Sequence, residues 1–77
     1  MSFLHGYEHQ KFAMELLELE LLREKAYRWI ETRMKIGEAI DILQYYKDQR
    51  QLVFALAVQR GFDLDELLRV VNLMRKK

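Results

Sequence analysis

Arg60-Gly61-Phe62-Asp63-Leu64-Asp65-Glu66-Leu67 carries the signs of one helix ending and another beginning. Gly61 lacks the Cβ that penalises the left-handed backbone closing a helix. Asp63 is a strong N-cap, Glu66 follows at capping-box spacing, and Phe62 is placed to staple onto Leu67. A turn at 61–63 is therefore expected, after a helix reaching about Arg60 and before a short one over about 64–75. Arg75, Lys76 and Lys77 then fall where the negative end of the last helix dipole favours cations.

Upstream of this turn the chain has little punctuation. There is no proline, only Gly6, Gly37 and Gly61 interrupt a sequence rich in Leu, Glu, Lys, Arg, Gln and Ala, and intrinsic preference is helical throughout. The expected fold is all-α: one domain over 1–77, with residues 1–6 as a flexible N-terminus and helices over about 7–35, 38–60 and 64–75, the first being long. Gly37 marks the first boundary weakly, because no Ser, Thr, Asp or Asn stands just before Glu38. A reversal there would draw Lys35 and Ile36 into the loop with Gly37. Lys47-Asp48-Gln49-Arg50-Gln51 is a polar interruption with capping-box spacing between Asp48 and Gln51, and a break there would make four helices instead of three.

Composition narrows the class further. The chain has 77 residues with 51% hydrophobic and 32% charged, too apolar for disorder and too charged for a membrane span. The longest apolar run, Leu52 to Val58, is far short of the roughly 20 residues a bilayer crossing requires. The first residues show no basic segment followed by an apolar one, so no secretory signal is read and the cytoplasm is expected. A net charge of +1 exerts no global pull on nucleic acid or anionic lipid. A chain this short hides only about 60% of its unfolded surface. Without cysteine it has neither a disulfide nor the usual zinc cage, which leaves a partner as the expected supplement.

Projection at the helical period shows where a partner would sit. Phe12, Leu16, Leu19, Ala26, Ile30 and Met34 share one stripe of the first helix, the expected core face. Met14, Leu17 and Leu21 form a second apolar line, and Leu22 fills much of the remaining arc. A helix apolar nearly all round must be covered nearly all round. Met14, Leu17, Leu21 and Leu22, with Trp29, are therefore expected to meet a second copy or another protein, giving a homodimeric helical bundle. The competing cover is the chain's own second and third helices. Membrane-surface binding is disfavoured by Glu15, Glu18 and Glu20.

Charge is uneven along the same helix. Residues 1–22 sum to −3 and residues 23–36 to +3, which suits antiparallel pairing of two copies. Glu24 with Arg28 and Glu31 with Lys35 also have the spacing of an ordinary solvated helix. In the second helix Ala39, Ile42, Leu43, Tyr46, Val53, Phe54 and Ala57 point inward, and either Gln49 or Arg50 must join them. In the third, Leu64, Leu67, Leu68, Val71 and Met74 form the buried line.

Motifs for chemistry are sparse. His5-Gly6-Tyr7-Glu8-His9 matches the string of inverted zinc peptidases, but Gly6 interrupts the helix that such a site needs and too little chain remains for a cleft. The spacing from Leu56 through Gly61 to Val71 is that of a helix-turn-helix, yet Asp63, Asp65 and Glu66 would present carboxylates to phosphates. Lys25, Arg28 and Lys35, with Thr32 between them, form a basic stripe suited to phosphate contacts, and Trp29, Tyr45 and Tyr46 are potential stacking groups. Ser2 and Thr32 are the only aliphatic hydroxyls, and neither has an evident base. The chain is thus expected to be a non-enzymatic adaptor or regulator without cofactor or metal, acting by self-association as a dimer and by protein–protein contact. The alternative expectation is a nucleic-acid-binding transcriptional regulator using residues 56–71 or the basic stripe.

Overall fold

A computed structural model describes residues 2–76, with side chains over 7–76. The described chain is all-helical: α1 (Ser2–Trp29), α2 (Ile36–Gln59) and α3 (Leu64–Arg75), with no strand. α2 returns antiparallel to α1, so Glu8 meets Arg60 near one end and Glu20 meets Tyr46 further along. α3 then runs parallel to α1, from Phe62 beside His9 and Phe12 up to Arg75 beside Glu24. α1 lies between the other two helices, which touch each other little.

The α2–α3 turn forms where expected, with Gly61 closing α2 and Asp63 capping α3, but the cap bond comes from the Asp65 N–H and not from Glu66 as capping-box spacing predicts. Gly61 has φ +86°. Its N–H donates to the Val58 carbonyl at 3.0 Å, and the Phe62 N–H donates to Ala57 at 2.9 Å. Those two bonds are the pair that closes a helix around a left-handed glycine and satisfies its last carbonyls. Asp63 caps α3 by accepting from the Asp65 N–H at 2.9 Å. Phe62 is buried, with its ring against His9 and Phe12 of α1.

The α1–α2 reversal differs from expectation in place and in means. α1 ends at Trp29 rather than about 35, and Ile30 and Met34 lie in the loop, joined by an isolated bridge. The Trp29 carbonyl accepts from Thr32, Arg33 and Met34, while Glu31 takes the left-handed backbone at φ +69°. Gly37 is not the breaker: it lies in the first turn of α2, whose Lys35 N–H donates to Glu38 Oε1 at 2.9 Å. The Lys47–Gln51 interruption does not break α2 either, so three helices form and not four. Gln44 donates to Asp48 at 3.0 Å along the helix, and the inward Arg50 lays its guanidinium 4.6 Å from the Phe54 ring centroid. α1 also begins earlier than about residue 7, its backbone being helical from Ser2 through Gly6.

Phe12, Ala13, Leu16 and Leu19 of α1 pack with Val53 and Ala57 of α2, Phe62 of the turn, and Leu67 and Val71 of α3. Burial of such side chains supplies about 1.5–3 kcal/mol each for the larger ones. The core is short compared with the molecule, which measures 47 × 27 × 17 Å. Beyond the end of α3, the α1–α2 hairpin continues as two helices alone, with Ala26 and Ala39 buried along it.

A candidate interaction surface along the first helix

The apolar residues that encircle α1 separate into three sets. Leu16 and Leu19 are buried in the core, whereas Leu17 is half-buried against it on the side where α3 lies. Leu22 is half-buried in a groove between α1 and α2, with Leu19, Tyr45, Gln49 and Val53 beside it. Met14 and Leu21 keep 46% and 50% of their surface in solvent. Tyr7, one heptad before Met14, is 66% exposed. Tyr7, Met14 and Leu21 thus recur every seven residues along the outward side of α1. Helices two and three cover part of the second apolar line and leave the rest open.

The open line borders further apolar surface. Tyr7 also edges a depression shared with Leu56 and Arg60, and Met14 one shared with Met74. Tyr45, Leu52 and Leu56 of α2 are exposed, Tyr45 on the groove beside Leu22 and Leu56 on the depression beside Tyr7, while Leu52 borders a shallow patch of α2 with Asp48, Gln51 and Ala55. None of Tyr45, Leu52 and Leu56 is among the partner-facing residues expected from the sequence, although Tyr45 is one of the potential stacking groups. Their spacing over α2 was the available signal, but polar neighbours on both sides, Asp48 and Gln59 among them, masked it.

Carboxylates sort by orientation. Glu8 pairs with Arg60, Glu24 with Arg75, and Glu20 accepts from the Tyr46 hydroxyl at 2.7 Å while lying 3.9 Å from Arg23. Burial, and then the bond to Glu20, push the Tyr46 pKa above the ordinary tyrosine value. Glu15, Glu18, Lys25 and Arg28 are exposed and take part in no ion pair among the described residues.

The basic stripe expected at Lys25, Arg28 and Lys35 is exposed, with Lys25 and Arg28 on α1 and Lys35 at the start of α2. Trp29 is half-buried, with the Lys25 ammonium 4.8 Å and the Arg33 guanidinium 5.0 Å from its ring centroid. The indole is therefore engaged by its own chain's cations. Of the zinc-peptidase string, His5 lies outside the residues whose side chains are described. Glu8 is held by Arg60, and the His9 ring sits 5.4 Å from Phe62. Among the described residues no group of three metal-ligating side chains converges, and no helix is long and apolar enough to cross a membrane. The first turn of α3 carries Asp65 and Glu66, so the helix that would enter a DNA groove presents carboxylates. No protein-family model, curated protein or solved structure matches the chain.

Proposed function

We propose that this protein is a small non-enzymatic adaptor or regulator that works by helix-mediated association, with itself as a dimer and with a protein partner. One observation carries the proposal: the chain has more surface than its mass requires. Its accessible surface is 6010 Å², against about 5,000 Å² expected for a compact monomer of its size. Its radius of gyration is 14.2 Å, against about 11.5 Å for a compact chain of this length. The surplus is about the area that one partner loses in a standard interface, roughly 800 Å².

Energetics extend the interface beyond α1. Covering the remaining half of Tyr7, Met14 and Leu21 contributes about 1 kcal/mol for each side chain. Counted on both copies, that only reaches the lower part of the roughly 4–15 kcal/mol cost of association. A stable dimer therefore also covers Leu22 and the exposed Tyr45 and Leu56 that border α1. Melting over a hundredfold range of protein concentration tests this. The melting temperature of the natural chain should rise with concentration, and that of Met14→Glu with Leu21→Glu should not. A concentration-independent melt of the natural chain would reject self-association.

A second reading, nucleic-acid binding, is favoured by one specific feature. Lys25 and Arg33 lie over the Trp29 ring, Arg28 and Lys35 are exposed near it in sequence, and none of the four takes part in an ion pair among the described residues. It predicts binding to duplex or single-stranded nucleic acid that weakens steeply with salt. No binding at low salt would remove it.

A further inference from the structure

We propose that the second copy lies antiparallel along α1, with the Leu21–Leu22 step on the twofold axis and Glu18 of each copy facing Lys25 of the other. This rests on the self-association proposed above and adds its occupant, direction and charge pairing. The argument starts from which charges the fold leaves outward. Glu24 is turned to Arg75, and Glu20 to Tyr46 and Arg23, so neither offsets Lys25 and Arg28 on the outward side. What remains on the outward side, after Lys11, is an acidic turn, Glu15 and Glu18, followed by a basic one, Lys25 and Arg28, and about the Leu21–Leu22 step Lys11 falls level with Thr32, outside the charged pairs.

A parallel copy would set Glu18 beside Glu18 and Lys25 beside Lys25. Antiparallel pairing about the Leu21–Leu22 step brings the Glu15–Glu18 turn of each copy level with the Lys25–Arg28 turn of the other. The same operation brings Met14 level with Trp29, so apolar contacts flank the charged ones. Opposed charge sets direction more than it adds affinity, and antiparallel helix dipoles act in the same sense.

The chain has no cysteine, so a single introduced one takes a spin label cleanly. A label at exposed Gln10 (Gln10→Cys) should give an intermolecular distance of about 35 Å for the antiparallel pair, from the helical rise. Parallel pairing would place the labels within about 15 Å, given the usual spacing of packed helices. Glu18→Lys and Lys25→Glu should each weaken the dimer about tenfold, and the two together should restore it. The long distance with rescue is the expected result. A short distance, or singles that weaken without rescue, overturns the orientation while self-association stands. No intermolecular distance at any concentration overturns both.

Discussion

Gly61 and Gly37 are chemically identical and conformationally opposite. At Gly61 the backbone is left-handed and a Cβ would meet no atom within 4 Å, so an added methyl is opposed by the backbone alone. Gly61→Ala should cost about 1 kcal/mol. Gly37 lies in α2 with the same open space around it, and Gly37→Ala should gain about 0.5 kcal/mol. Urea midpoints of the two variants should move in opposite directions, and shifts of the same sign would contradict these backbone assignments. Tyr46 gives a pH dependence. Its folded pKa is raised, so its contribution is full below the unfolded tyrosine value near 10 and is lost as pH climbs through the folded one. Urea unfolding between about pH 9 and 11 should show a steeper loss of stability in the natural chain than in Tyr46→Phe. Equal slopes would mean that neither burial nor the bond to Glu20 raises the hydroxyl's pKa on folding. Gly61 and Asp63 were legible because their chemistry is local. The partner of Tyr46 was not, because Glu20 lies on another helix.

Among the elements, α3 shows how far local signals reach. Its cap, its boundary and its buried line, including Leu67 and Val71, follow from spacing within one short window. Asp63→Ala removes the bond to the Asp65 N–H and should cost about 1 kcal/mol by chemical denaturation. No measurable loss would place the start of the helix elsewhere. The end of α1 was hidden for the opposite reason. Ile30 and Met34 continue the apolar period past Trp29, and the residue that takes the left-handed backbone is Glu31, a type that gives no warning. The polar run in α2 misled in the same way: Arg50 faces inward without breaking the helix because its guanidinium rests on Phe54. As for the surface of α1, the sequence exposed its surplus of apolar residues but not their allocation. Only the packing of α3 separates Leu17, half-covered, from Met14 and Leu21, which stay open.

At the scale of the molecule, a rod of two long helices carries a third that covers less than half of its length. Sequence arithmetic anticipated the shortage of cover, since a chain of this size has few residues to spare for hiding a helix apolar on several sides. It did not anticipate the outward sorting of charge, which depends on Glu20 and Glu24 finding partners far along the chain. The central claim is that a second copy supplies the missing cover. Light scattering across the eluting peak of a sizing column tests it most directly, because it reads mass independently of the elongated shape. The account predicts twice the chain mass of 9.4 kDa. A folded species at the single-chain mass, unchanged up to the highest soluble concentration, would contradict it.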